Sequence, residues 1–164
     1  RLRHLLHGLP HPDGKLLFGF DSPLEIRQFC RAENGAIIGI NEDPTFLRRG
    51  CSARIQLPRE GSRVVFLDVP QDWSSDGELN FWVCLKDRPN CQFIIMVGDG
   101  RSWFTLHGAV SRKTWSQLRI PLHLFEPEGQ PNWTDIRQFI LLSPNQEPTE
   151  LYIDEMRLKA KDSD

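Results

Sequence analysis

The stretch Ser111-Arg-Lys-Thr-Trp-Ser-Gln-Leu-Arg-Ile-Pro-Leu-His-Leu-Phe125 decides the fold of this chain. Within it, Leu118, Ile120 and Leu122 occupy every second position, and an arginine or a proline stands between them. Side chains of a β-strand point alternately to its two sides, so this spacing predicts a strand with one buried and one open side.

The same two-residue period recurs on both sides of this stretch. It is clear at residues 51–57, 78–86, 102–107 and 151–158, and turn signals such as Asn34-Gly35 separate the runs. About ten or eleven short strands without a long amphipathic helix are typical of an all-β, antiparallel β-sandwich or jelly roll. Residues 25–29 are expected to form a further extended segment. The predicted core between the sheets includes Leu79, Phe81, Val83, Leu118, Ile120, Leu151 and Ile153.

Length and charge narrow the classes of function. A chain of 164 residues suits one domain with a sizeable core. Its net charge of −2 argues against nucleic acid as a partner, because such proteins rely on a basic excess. No apolar run approaches the roughly 20 residues of a membrane-spanning helix, so no membrane span is predicted.

The chain divides into a central domain and two ends. Residues 1–15 contain three histidines and two prolines without a strand pattern, and they are expected to be a linker or an N-terminal extension. Residues 16–159 form the β-sandwich domain, and residues 160–164 form a charged tail. Because the sequence starts at Arg1 without methionine, we expect the domain to be part of a longer chain, tethered to other domains.

Aromatic and polar side chains fall on the sides of the strands opposite the apolar alternation. If their strands share one sheet, they line one open surface. Indole rings stack on the C–H faces of sugars, and fixed polar groups satisfy sugar hydroxyls. The pattern therefore predicts a surface that binds polysaccharide or oligosaccharide; alternatively, the tryptophans are framework residues covered by other segments. The candidate binding residues are Trp82, Trp103, His107, Gln117 and Arg119.

Two segments together resemble a known family. The tryptophan-led Ile120-Pro-Leu122 strand ending at Phe125, followed by Leu151-Tyr-Ile-Asp-Glu-Met-Arg-Leu158, resembles the galactose-binding-like β-sandwich, over residues 16–159. Many bacterial carbohydrate-binding modules belong to that superfamily. The resemblance implies a non-catalytic carbohydrate-binding module, part of a larger extracellular or cell-surface enzyme.

The resemblance also implies a structural calcium ion where the first and last strands meet. The matching positions are Asp21, Asp154 and the loop that begins at Asp43, and carboxylate and carbonyl oxygens are the ligands that calcium prefers. The family more often has glutamate on the first strand, so Asp21 departs from its pattern. Alternatively, Asp21 and Asp154 cap turns or pair with Arg48 or Arg157.

No catalytic motif with local spacing is present: neither a nucleophile elbow, nor a zinc-protease helix, nor a phosphate loop followed by a helix. The protein is therefore expected not to be an enzyme. Two alternatives to the carbohydrate-binding module stay open. One is a protein-interaction or scaffolding domain on the same sandwich, and the other is a small polysaccharide-active enzyme such as a lyase. The second is harder to build because Tyr152 is the only tyrosine.

Overall fold

A computed structural model describes residues 14–43, 51–86, 90–111 and 113–162, and it confirms the all-β antiparallel sandwich. Twelve strands lie in these ranges, with one short helix, α1, at Pro23–Phe29 and a 3₁₀ turn at Leu122–Leu124. The strands are β1 (Lys15–Phe18), β2 (Cys30–Glu33), β3 (Ile37–Ile40), β4 (Ala53–Leu57), β5 (Arg63–Phe66), β6 (Asp76–Leu85), β7 (Cys91–Gly98), β8 (Trp103–Val110), β9 (Ser116–Pro121), β10 (Glu126–Glu128), β11 (Gln138–Leu142) and β12 (Thr149–Ala160).

The first sheet, sheet A, is built around the long last strand. Its order is β3-β4-β12-β6-β9, and β1 pairs with the second half of β12. Strand β12 changes register between Asp154 and Arg157, where Glu155 has a left-handed φ of 46°. This bulge lies beside the end of β1, because Phe18 is paired with Met156.

The second sheet, sheet B, has the order β10-β8-β7-β11-β5-β2, with antiparallel pairing throughout. The chain crosses from sheet A to sheet B between β6 and β7. It returns to sheet A at β9, then enters sheet B again for β10 and β11.

The core fills the space between the sheets. Phe66 of sheet B lies at its centre, with ring centroids 5.0 Å from Phe18 and 5.4 Å from Phe139. Every residue predicted for the core packs there: Leu118 is half-buried against it, and the others are buried. The alternation therefore predicted the inward sides of β6, β9 and β12 correctly.

The extended segment predicted at residues 25–29 is wrong, since this part of the chain is helix α1. Ser22 caps the helix by accepting a hydrogen bond from the Leu24 amide at 3.2 Å, and Pro23 occupies the first turn. Both features are start signals for helices, and they override the short apolar pattern that follows.

The first and last described strands are the outer limits of the sandwich: β1 begins at Lys15 and β12 ends at Ala160. The predicted domain bounds, residues 16 and 159, stay a prediction. The predicted N-terminal extension falls on residues 1–15, of which 1–13 lie outside the described residues, so it stays a prediction. Among the described residues, no helix is long and apolar enough to cross a membrane.

Candidate functional site

The five predicted binding residues do not share a surface, so that part of the prediction is wrong. Trp82, Gln117 and Arg119 lie in sheet A, whereas Trp103 and His107 lie in sheet B. Strands of both sheets bury one side in the same core, so strands of either sheet show the same alternation of apolar and polar residues. The condition that their strands share one sheet fails, because β6 lies in sheet A and the next strand, β7, lies in sheet B.

In sheet A, the outward residues form a partly closed surface. Trp82 is half-buried in register between Gln117 and Asp154, and Arg119 Nε donates to Gln117 Oε1 at 3.3 Å. Tyr152, in the middle of this side, is 1% exposed. The Tyr152 ring is therefore enclosed by its neighbours and is not presented to solvent on this side of sheet A.

An ion-pair network holds the edge of that surface together. Glu150 accepts hydrogen bonds from Arg54 Nε and from Gln56 Nε2 at 3.3 Å, and Lys86 Nζ lies 3.1 Å from its carboxylate. Burial pushes the pKa of Glu150 upward, but the hydrogen bonds from Arg54 and Lys86 outweigh burial and hold the pKa below its usual value.

The outward side of sheet B, here called the sheet B face, has a different construction. Its central side chains Thr105, Val65 and Ile140 are buried although they point away from the core. Ile94 and Met96 beside them are half-buried. The centre of this face, here called its floor, is therefore mostly apolar.

Trp103 lies at one end of the sheet B face. It is paired directly with Gly98 across the β7–β8 turn, and a Cβ atom on Gly98 would lie 3.0 Å from Trp103 Cε3. The missing side chain of Gly98 thus leaves room for the indole ring. His107 is on the same side of β8, four residues further, which places it about 13 Å along the strand. Trp103 is half-buried and His107 is exposed.

Charged residues line both edges of this face. On the β10 side, the exposed Glu126 and Glu128 are paired with Thr105 and Trp103. On the β2 side, Glu33 lies 3.5 Å from Arg31 and 3.6 Å from Arg63. Sequence reasoning missed these residues, because it treated 126–132 as a loop and gave no partner to β2.

The Thr105 hydroxyl is a further feature of the floor. Its Oγ1 is buried and has no hydrogen-bond partner in the described part of the chain. Buried hydroxyl groups are normally satisfied, so Thr105 Oγ1 requires a hydrogen-bond partner that the described residues do not supply.

A cavity of about 350 Å³, here called the end cavity, opens where β6 begins and β12 ends. Its lining residues are Trp73, Ser74, Asp76, Gly77, Leu122, His123, Trp133 and Lys161. Trp133 stacks on Phe104 with ring centroids 3.8 Å apart and on Trp73 at 6.2 Å. Trp73 and Trp133 are therefore packed residues at this end of the sandwich.

Asp76 is the buried carboxylate of the end cavity. Burial raises its pKa, and the ion pair with Lys15, 3.1 Å from Oδ2, offsets part of that rise. Its Oδ1 has no hydrogen-bond donor among the described residues.

The predicted calcium ligands lie in one region without forming a complete site. The pairing of β1 with β12 brings Asp21 beside the bulge at Asp154, and burial together with the charge of Glu155 raises the pKa of Asp21. Asp154 is buried and Asp21 is exposed. Among the described residues, no three His, Cys, Asp or Glu side chains are grouped so that they hold a metal ion. Beyond Asp43, the predicted loop lies outside those residues.

Two six-stranded antiparallel sheets packed on a common core define a β-sandwich. The comparison with solved structures confirms the predicted resemblance. The family 11 carbohydrate-binding module from Clostridium thermocellum, in complex with a β-1,3-1,4-mixed-linked tetrasaccharide, superposes with a TM-score of 0.69 at 14% identity. The match covers 88% of this chain and 94% of that one.

Two other structures extend the comparison. The family 30 module of the cellulosomal cellulase Cel9D-Cel44B of Clostridium thermocellum matches with a TM-score of 0.66 at 16% identity, over 90% of this chain and 98% of that one. An exo-β-agarase matches with a TM-score of 0.71 at 11% identity, over 90% of this chain but 26% of its own length. No protein-family model and no curated protein matches the chain. At such identities the likenesses establish the fold.

Proposed function

We propose that this protein is a non-catalytic carbohydrate-binding module and that the sheet B face is its binding surface. The observation that supports this most is the combination on that face of the half-exposed indole of Trp103 with an apolar floor and charged edges. A sugar chain has apolar C–H faces and a rim of hydroxyls, so it requires these two kinds of contact together.

The dimensions of the sheet B face suit a chain of sugars. Six strands about 4.8 Å apart give a width of about 24 Å from β10 to β2. In this proposal Trp103 stacks on one ring, the unsatisfied Thr105 Oγ1 hydrogen-bonds a hydroxyl, and Glu126 and His107 contact the chain beside it. Trp82, Gln117 and Arg119 lie on the opposite side of the sandwich and take no part.

The similar structures support the same class of ligand. Two of them are carbohydrate-binding modules, one in complex with a tetrasaccharide, and one belongs to a cellulosomal cellulase. In the agarase, a region of this size is about a quarter of a longer enzyme chain. We therefore propose that this module is likewise tethered to other domains and acts outside the cell or at its surface.

The absence of catalysis is part of the proposal. A lyase that uses a tyrosine as its base needs one that reaches the substrate, and Tyr152 is the only tyrosine of the chain. Tyr152 is 1% exposed, and burial, together with the charges of Glu150 and Asp43, raises its pKa. Both effects oppose proton abstraction by Tyr152.

We further propose a structural calcium ion at the junction of β1 and β12. Asp21, Asp154 and Asp43 supply the hard oxygen donors that calcium prefers. Burial and the charge of Glu155 raise the pKa of Asp21, and a cation bound there would favour the charged carboxylate. Its role in this proposal is to hold the strands, and no binding step passes through it.

The test compares two tryptophans on opposite sides of the sandwich. Trp103→Ala should weaken binding to a polysaccharide panel by one to two decades, because burying a large apolar side chain contributes about 1.5–3 kcal/mol. Trp82→Ala, the same change on sheet A, should leave affinity unchanged. Affinity electrophoresis and thermal unfolding are measured for both. A folded Trp103→Ala that binds glycans as tightly as the parent protein contradicts the proposal.

The second candidate is a protein-interaction domain, and the same face favours it. Ile94, Met96 and Leu142 are half-buried apolar side chains on the outside of sheet B, a composition that also suits a protein partner. A parent protein that binds no glycan in the panel, with Trp103 still exposed to a quencher in solution, would support this alternative instead.

A further inference from the structure

The end cavity combines a missing hydrogen-bond donor with space for a ligand. The Asp76 side chain is fully buried, yet its Oδ1 accepts no hydrogen bond in the described part of the chain. A buried carboxylate oxygen normally accepts one or more hydrogen bonds, and leaving it unsatisfied is unfavourable. The donor that Oδ1 requires is therefore a water molecule or another molecule that occupies the cavity.

The charge of the site indicates what kind of donor is missing. The Lys15 ammonium, 3.1 Å from Oδ2, already neutralises the carboxylate. A second cation would leave a net positive charge in a buried place, which is unfavourable. A neutral donor such as a hydroxyl group satisfies Oδ1 without adding charge.

The residues that line the cavity indicate the shape and polarity of the rest of the ligand. The inner wall is aromatic and aliphatic, formed by Trp73, Trp133 and Leu122, whereas Ser74, His123 and Lys161 at the mouth are exposed and polar. A volume of about 350 Å³ is at the small end of the range for ligand sites and more than ten times that of one water molecule. A single ring with apolar faces and hydroxyl edges matches this lining.

Lys161 covers the route to Asp76. Its Nζ donates to the carbonyl of Ser74 at 3.1 Å, and its stem lies against Gly77, where a Cβ atom would be 3.2 Å from Lys161 Cγ. Lys161 is exposed, and its displacement towards solvent costs one hydrogen bond, which water can replace.

We propose that the end cavity is a second carbohydrate site, which takes one pyranose ring, with Asp76 as hydroxyl acceptor and Trp133 as the apolar wall. The choice of a carbohydrate rests on the proposed function, but the site is separate from the sheet B face. The ring is either a free monosaccharide or the terminal residue of a chain, because the cavity holds one ring and not a continuous strand of sugars.

The experiment follows the indole N–H resonances of the five tryptophans during titration with monosaccharides and with oligosaccharides of the same sugars. The Trp133 signal, assigned from a Trp133→Phe sample, should shift for at least one monosaccharide. Asp76→Asn should weaken that binding at least tenfold. Asp72→Asn is the matched control, because Asp72 is an exposed carboxylate of the same loop outside the cavity lining, and it should bind as the parent does.

A further variant tests the site without changing a buried residue, whose substitution could unfold the protein. His123 is exposed at the mouth, so His123→Ala should keep the parent melting temperature and weaken ring binding. If oligosaccharides shift the Trp133 signal and monosaccharides do not, the ligand is the end of a sugar chain.

Each contrary outcome separates the two sites. If polysaccharide binds through Trp103 while no mono- or oligosaccharide shifts Trp133, or if Asp76→Asn binds as well as the parent, the end cavity is not a carbohydrate site and the proposed function stands. If the ring binds in the cavity but Trp103→Ala leaves polysaccharide binding intact, the sheet B face is wrong and the cavity stands. If no sugar binds, both are overturned.

Discussion

Gly98 and Trp103 face each other directly at the turn that joins β7 and β8, and the indole occupies the space that a side chain on Gly98 would fill. A Cβ atom at position 98 would also lie 2.0 Å from the carbonyl oxygen of Ser102. The turn and the indole position that it provides therefore both depend on a glycine at position 98.

Gly98→Ala is expected to destabilise the protein and to displace Trp103. Relief of the contact with the Ser102 carbonyl requires a backbone shift, and such overpacking costs about 1–3 kcal/mol. Gly39→Ala is the matched control, because a Cβ atom at position 39 meets nothing within 4 Å. Chemical denaturation measures both, and equal stabilities for the two variants would contradict this account of the turn.

The N-cap of helix α1 gives a second prediction. Ser22 Oγ accepts from the Leu24 amide at 3.2 Å, so Ser22→Ala removes this partner. The expected loss is about 1 kcal/mol in the free energy of unfolding, the usual scale for a helix cap. Ser22→Asp retains an acceptor and should restore stability in thermal unfolding; a similar loss with aspartate would mean that the hydroxyl does not act as a cap.

Alternation of apolar and polar residues shows which side of a strand is buried, and this determines how much of the structure the sequence could predict. The inward positions of β6, such as Leu79 and Phe81, were predicted because burial on one side of a strand imposes a period of two. Alternation does not show which sheet a strand belongs to, because β6 in sheet A and β8 in sheet B each bury an apolar side in the same core. Trp82 and Trp103 were therefore placed together although the sandwich separates them.

The end cavity could not be predicted for a related reason. Asp76 and Trp133 are 57 positions apart, and each lies at a point where the period of two stops. Contact between such residues depends on which strand ends meet, and local sequence does not encode that. Helix α1 differs from the cavity because its start signal, Ser22-Pro23, is present in the local sequence. The prediction of an extended segment relied instead on the apolar positions that follow.

The Glu150 network predicts a dependence of stability on pH. The pKa of Glu150 is lowered in the folded state, so its contribution is present above the ordinary value of 4.5 and is lost as the pH falls through the lower, folded value. Glu150→Gln should therefore cost about 1 kcal/mol at pH 7, the upper scale for partly exposed ion pairs, and progressively less in acid. Melting temperatures measured from pH 7 to pH 3 check this.

Asp76→Asn provides the opposite trend as an internal control. Burial raises the pKa of Asp76, so the parent loses stability as the pH rises through the range above 3.8. The variant lacks this loss, and its stability relative to the parent should increase with pH. If both variants change in the same direction, the two carboxylates do not have the opposite shifts on which these expectations depend.

Removal of calcium should lower the melting temperature of the metal-loaded protein. An ion that binds the folded state alone stabilises it by mass action, by about 2.7 kcal/mol at one hundred times its dissociation constant. Asp154→Asn and Asp21→Asn should each reduce the difference between melting curves with and without chelator. Asp72→Asn, an exposed carboxylate in the β5–β6 connection, should leave the difference unchanged. A sample first shown to contain calcium whose melting curve is the same in excess chelator would end the proposal, and Asp21 and Asp154 would then be residues of the β12 bulge without a metal.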